Sequence, residues 1–174
     1  MAKICDNTSV GVIIRNSTGD LLLIERKSWP YGMAAPAGHL DGDRAEDGAV
    51  REIAEEVGLT IVKQSLVLEK DFANPCKREG GDHHHWSVYG AQEWSGETSI
   101  REEEKEKVRR ISWTSAEGLR QAVARTESFA RKYELDPAGD LTSLTRRLCE
   151  DVEWQNEPGL EPVWYLILKE LRLV

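Results

Sequence analysis

Cysteine is scarce in this chain, and its three residues, Cys5, Cys76 and Cys149, lie far apart. An odd number with no C-x-x-C pair argues against a disulfide scaffold or a zinc ribbon and fits reduced thiols in a cytoplasmic setting. Long apolar runs are also missing. Val10 to Ile14 and Leu21 to Ile24 are far too short to span a bilayer, and the opening Met1-Ala2-Lys3-Ile4-Cys5-Asp6 has no apolar signal core. No membrane partner is expected. Nor is there an excess of positive charge: 23 Lys and Arg face 31 Asp and Glu, a formal net charge of -8. Such a field repels a phosphate backbone, so long nucleic acid is not an expected partner. A small phosphorylated ligand would need local counter-charge from a metal ion or a few basic side chains.

What is present, 174 residues with 40% hydrophobic side chains, suits one domain with a single buried core and an appended element. Val10-Gly11-Val12-Ile13-Ile14 and Leu21 to Ile24 are β-prone runs separated by the turn formers Asn16-Ser17-Thr18-Gly19-Asp20, which predicts a hairpin. Pro30, Gly32, Pro36, Gly38 and Gly42 predict a long irregular loop from Lys27 to Asp43. Ala45 to Val57 reads as a helix, capped by Asp41 or Asp43 and ended by Gly58, with Val50, Ile53, Ala54 and Val57 on its packing side. Further strands are expected at Ser65 to Phe72, Trp86 to Trp94 and Val108 to Thr114. The capping pattern Thr114-Ser115-Ala116-Glu117 opens a helix through about Arg125, Ser128 to Asn156 is polar and helical, and Leu160-Glu161-Pro162 opens a last apolar helix through Leu171. The expected class is α/β (α+β), a mixed β-sheet sandwiched between helices, with a core over residues 1–125 and a C-terminal helical extension over 126–174 packed on the same domain. The polar helices of that extension either cap a cleft or form a homodimer contact.

The chemistry concentrates on the first helix. Glu52, Glu55 and Glu56 stand at i, i+3 and i+4, three carboxylates within one turn, where each like-charge pair costs an isolated helix about 0.2–0.5 kcal/mol. Arg51 can orient a carboxylate by a charge-assisted hydrogen bond, but one cation does not neutralise three anions. A divalent cation does, and all-oxygen ligands favour Mg2+ or Mn2+, which substrate phosphates then complete.

Gly38-His39-Leu40-Asp41-Gly42-Asp43, seven residues, then Arg51-Glu52-Ile53-Ala54-Glu55-Glu56-Val57-Gly58-Leu59 resembles the signature of the MutT-like Nudix hydrolases, G-x5-E-x7-R-E-U-x-E-E-x-G-U with U aliphatic. The second half matches at every specified position. In the first half, Asp43 stands where the family has glutamate, and Ala37 holds the position of the initial glycine when the spacing is kept. The shorter Asp43 reaches less far. The signature covers residues 36–59, and a weaker fold-level likeness runs from Ser9 to Leu119.

The resemblance implies hydrolysis of the diphosphate linkage of a nucleotide or nucleoside diphosphate derivative with Mg2+ or Mn2+. By position, Glu52, Glu55 and Glu56 are the implied metal ligands, joined by the loop carbonyl of Ala37 or Gly38, and Arg51 braces them. Glu52 or Glu56 is the implied base, and so is Glu104, since Glu104-x-x-Lys107 followed by Trp113 is similar to the family's E-x-x-K...W spacing. The alternative from another class is a non-catalytic nucleotide sensor with the same fold.

Substrate contacts are expected from Lys77 and Arg78, two cations in the Asn74 to Gly81 loop, and from Trp29 and Tyr31, which are placed to stack on a base or to anchor their loop. His83-His84-His85 reads as surface or strand-edge, because neighbouring strand residues face opposite ways and no nearby Cys or second His group completes a zinc site. Trp86, Trp94, Trp113 and Trp164 are expected to pack.

Overall fold

The computed structural model describes residues 3–174; Met1 and Ala2, part of the opening read for a signal core, lie outside the described residues. The strands are β1 (Thr8–Ile13), β2 (Leu21–Arg26), β3 (Gly32–Ala34), β4 (Ala37–His39), β5 (Thr60–Phe72), β6 (His84–Ser95) and β7 (Val108–Thr114). The helices are α1 (Ala45–Glu56), α2 (Ala116–Lys132), α3 (Leu141–Glu150), α4 (Val152–Asn156) and α5 (Pro162–Glu170), with one 3-10 turn at Glu102–Glu104. The class is α+β. The strands form two sheets: a mixed one in the order β4-β1-β6-β5, where β1 runs parallel to β6, and an antiparallel one in the order β3-β2-β7.

The expected hairpin is corrected. β1 and β2 meet only beside the turn, where Arg15 bridges Leu21 and the Leu22 amide donates to the Ile14 carbonyl at 2.9 Å; beyond that they diverge into different sheets. The cause is composition. Val10, Val12 and Ile14 on one face of the first run and Ile13 on the other are buried, as are Leu21 to Ile24 on both faces of the second, and such runs need cover on both sides, which central strands of two packed sheets obtain. The Lys27 to Asp43 loop is corrected too: it contains β3 and β4, which give its backbone groups partners on β2 and β1.

None of the described side chains caps α1, whose N-cap is Arg44, because Asp41 is engaged by Arg78 and Lys3 and Asp43 by Arg51. Gly58 ends the helix with φ +75, a left-handed conformation that glycine adopts without strain. The packing side is Gly48, Ala49, Ile53 and Val57, whereas Val50 is exposed and Ala54 half-buried. α2 continues to Lys132 rather than stopping near Arg125, with Ser115 capping it through a 3.2 Å bond from the Gly118 amide. One core joins β1, β2, α1 and α5, and includes Leu160, Trp164, Ile167 and Leu168; a smaller cluster of Phe129, Leu144, Leu148 and Trp154 holds α2, α3 and α4 together. Trp86 and Trp164 meet edge to face at 5.5 Å, and Trp94 stacks on Trp113 at 5.4 Å.

Candidate active site

The acidic face of α1 meets the short strand β4. The Ala37 amide donates to a carboxylate oxygen of Glu56 at 2.8 Å, tying the last turn of the helix to the strand. Gly38 passes so close to Glu52 that a β-carbon there would stand 2.1 Å from Cδ of the glutamate. Only glycine leaves the carboxylate that room.

Arg51 organises the face. Its Nε donates to Asp43 at 2.8 Å, one terminal nitrogen donates to Glu52 at 2.7 Å and Glu55 at 3.2 Å, and the other donates to the His39 carbonyl at 3.1 Å. One guanidinium thus fixes two carboxylates of the helix, the loop aspartate and β4. Short as it is, the Asp43 side chain reaches the Arg51 guanidinium from the loop.

Burial pushes the Glu52 carboxyl above its ordinary value, against the opposing pull of Arg51. Desolvation raises Glu56 more, to about 8, with Arg26 and the Ala37 amide opposing it and Glu52 and Glu104 adding to it. Glu104 is largely covered and accepts from Lys107 Nζ at 2.8 Å, and Glu55, Arg101 and Glu103 line a cleft with it. The structure therefore brings Glu52, Glu55, Glu56, Arg51, Ala37, Gly38 and Glu104 to one neighbourhood.

The expected substrate residues are more scattered. Lys77 is exposed, but Arg78 is committed to Asp41 through two terminal nitrogens. That pairing leaves Arg78 less charge to offer a phosphate than the exposed Lys77. Tyr31 is anchored at both backbone polar groups, its amide donating to Cys149 Sγ at 3.4 Å and its carbonyl accepting from Trp154 Nε1 at 2.9 Å, while Trp29 is half-exposed. Arg26 and Glu161 escaped the sequence reading. They face each other at 4.0 Å beside Ala37, Gly38 and Pro30 in a small cleft, and Arg26 Nε and Glu161 Oε2 are buried without a hydrogen-bond partner among the described residues. Burial raises Glu161 to about 7. A charge at the end of an apolar strand, as in Leu21-Leu22-Leu23-Ile24-Glu25-Arg26, was the available signal.

His83 and His85 are exposed as expected, but His84 is buried and its Nε2 lies 3.3 Å from His39 Nε2 and 3.2 Å from Cys5 Sγ. That corrects the view that no partners are near. Consecutive strand residues do face opposite ways, and the middle one faces inward. Desolvation lowers His84, and burial beside Arg78 lowers His39 to about 4, so both imidazoles are neutral near pH 7.

An acidic helix braced by arginine against a glycine-containing strand, in a two-sheet α+β core, presents a cluster of oxygen donors of the kind that suits a hard divalent cation. The NUDIX domain model matches residues 6–135, so the chain belongs to the Nudix family, and it is a Nudix-type pyrophosphohydrolase. Among solved structures it is similar to a MutT NUDIX hydrolase from Burkholderia pseudomallei, with 27% identity over 64% of this chain and 84% of that one and a TM-score of 0.55. The E. coli dihydroneopterin triphosphate pyrophosphohydrolase shares the fold, at 20% identity over 70% of this chain and 87% of that one and a TM-score of 0.55. So does the NUDIX domain of Shewanella oneidensis NrtR, solved with ADP ribose, at 16% identity over 70% of this chain and 78% of that one and a TM-score of 0.52. No curated protein matches the chain. No helix among the described residues is long and apolar enough to cross a membrane.

Proposed function

We propose that the chain hydrolyses the diphosphate linkage of a nucleotide or a nucleoside diphosphate joined to another group, with Mg2+ or Mn2+ held by Glu52, Glu55 and Glu56 and the Ala37 or Gly38 carbonyl. The carrying observation is the charge balance at Arg51, one guanidinium serving Asp43, Glu52 and Glu55 while Glu56 lies on the same turn with its carboxyl raised to about 8. That excess of oxygen donors fits a hard divalent cation, as does the close approach of Gly38 to Glu52. When bound, such an ion screens the charge of the diphosphate and makes a bound water more acidic.

The rest falls to the side chains. Arg51 holds Glu52 and Glu55 in fixed rotamers, so no reorientation is required when substrate arrives. Glu56, Glu52 or Glu104 takes the proton of the attacking water. Arg26 supplies the local positive charge that the overall -8 withholds, its unpartnered Nε turned to the cleft beside Gly38. Lys77 and Trp29 supply outer contacts. The bound ADP ribose of the Shewanella domain and the triphosphate named for the E. coli enzyme favour nucleotide-like diphosphates as substrates.

A screen of nucleoside triphosphates, dinucleoside polyphosphates, sugar nucleotides and dinucleotide cofactors, with product identification, finds the substrate. With it, Glu55→Gln and Glu56→Gln are expected to fold normally and lose hydrolysis and its Mg2+ dependence by about 100-fold or more. Comparable turnover by either variant at saturating Mg2+ removes that glutamate from the reaction.

A further inference from the structure

Four side chains from separate parts of the chain converge beside the cleft that Arg26 and Gly38 line: Cys5 from the amino-terminal segment, His39 at the end of β4, Cys76 from the β5–β6 loop, and His84 at the start of β6. One ligand-type atom from each lies within 4.8 Å of all the others. Cys5 Sγ stands 3.2 Å from His84 Nε2 and 3.5 Å from Cys76 Sγ, and the two imidazole Nε2 atoms are 3.3 Å apart. Bond lengths of about 2.3 Å to sulfur and about 2.0–2.1 Å to nitrogen give a tetrahedron with edges of about 3.3 Å N to N, 3.5 Å S to N and 3.8 Å S to S. These three separations are close to those edges, and the other three pairs lie within 4.8 Å.

We propose that Cys5, His39, Cys76 and His84 hold a structural zinc ion in a closed tetrahedral site. The surroundings are arranged for ligation. His84 Nδ1 faces the Asn74 carbonyl at 3.0 Å, which places the proton there and leaves the Nε2 lone pair pointing into the cluster. Asn74 is itself fixed, its Oδ1 accepting from Trp86 Nε1 at 3.0 Å. Each sulfur receives a backbone amide two residues on, Asn7 to Cys5 at 3.4 Å and Arg78 to Cys76 at 3.3 Å, a contact that stabilises thiolate. Gly81 has to be glycine, since a β-carbon there would lie 2.1 Å from Cys76 Sγ. Two thiolates cancel the charge of the dication, and both thiol protons leave to solvent on binding. Soft sulfur with imidazole in a tetrahedron selects zinc over the magnesium class of ions.

The site has work to do. The chain from Ala73 to His83 contains no regular element and little apolar surface, and the Cys5 amide reaches it through a 2.8 Å bond to the Glu79 carbonyl. Cross-linking it to β4 fixes His39, whose carbonyl receives Arg51, so the ion sets the loop on which the acidic site leans. A Cys5–Cys76 disulfide explains the sulfur pair but gives the two imidazoles no role.

Elemental analysis of the full-length protein, purified without chelators or affinity metals, is expected to give one zinc per chain. Replacing zinc with Co2+ should yield the intense visible bands of tetrahedral cobalt and a thiolate charge-transfer band in the near ultraviolet. Cys76→Ser and His84→Ala each lose those bands and at least about tenfold in zinc content, whereas Cys149→Ser and the Glu55→Gln, Glu56→Gln double variant keep both. Should the site variants misfold, the unaltered protein decides: thiol titration in the native state counts two more reactive cysteines after zinc is chelated. Zinc below a tenth per chain, a different metal at stoichiometry, an intact mass two hydrogens short, or full zinc in Cys76→Ser overturns the proposal. None of these readouts depends on hydrolysis, so the proposed reaction stands or falls separately.

Discussion

A β-carbon on Gly38 would occupy the space of the Glu52 carboxylate, since it would lie 2.1 Å from Cδ and 2.2 Å from Oε2. Gly38→Ala therefore displaces Glu52 and strains its bond from Arg51. The variant should fold and lose about 10–100-fold in kcat/KM, the range typical of a disturbed ligand environment, and a steady-state assay alongside a thermal melt checks it. Glu161 offers a different test, in stability. Its carboxyl rises from 4.5 to about 7 through burial, so the folded chain holds a proton that the unfolded chain releases. The sign follows: stability from this group is complete below about 4.5, is lost as pH climbs toward about 7, and changes no further above that. Glu56, raised to about 8, slopes the same way over a wider window. Urea melts at pH 5 and pH 8 should show Glu161→Gln losing less stability between the two than the parent chain, by about 1–3 kcal/mol. Equal losses would mean that Arg26 keeps Glu161 ionised.

Between elements, Gly159, just ahead of α5, closely approaches the backbone of α2. A β-carbon there would meet the Ala122 carbonyl oxygen at 2.6 Å and the Thr126 amide nitrogen at 2.8 Å, backbone atoms that cannot swing aside. Gly159→Ala should cost about 1–3 kcal/mol by overpacking, read as a Tm lower by about 2–4 °C for each kcal/mol. Elements of this kind show where the sequence was readable. The helix 45–56 and its acidic face were plain because three carboxylates and Gly58 keep helical spacing, and the signature beside them reported the family. β1 and β2 were legible as strands but not as members of different sheets, since an apolar run states that both faces are covered without saying by what. The loop 27–43 looked irregular because three-residue strands leave no periodicity. Cys5, His39, Cys76 and His84 are separated by 34, 37 and 8 positions, so only folding reveals them as neighbours. Arg26 and Glu161 stayed hidden for the same reason.

Across the whole molecule, the carboxy-terminal third shares one core with the strands that carry the site. Trp164 lies 1% exposed with its ring over Gly11 of β1, where a β-carbon would come within 2.6 Å, and Leu160, Val163, Ile167 and Leu168 are buried beside it. Thr126 Oγ1 adds a bond to the Leu160 carbonyl at 2.9 Å, and the Met33 amide of β3 donates to Gly159 at 2.8 Å. Burying five such side chains is worth on the order of 10 kcal/mol, as much as the entire net stability of an ordinary domain. A chain ending at residue 125 should therefore fail to fold, with weak near-ultraviolet circular dichroism and no cooperative melt, whereas the full chain melts in one transition. The family signature would survive intact in that truncated chain. A cooperative melt from it would show that β1–β7 and α1 bury enough apolar surface by themselves, and that residues 126–174 are a detachable cover over the strand that Gly11 and Trp164 now hold together.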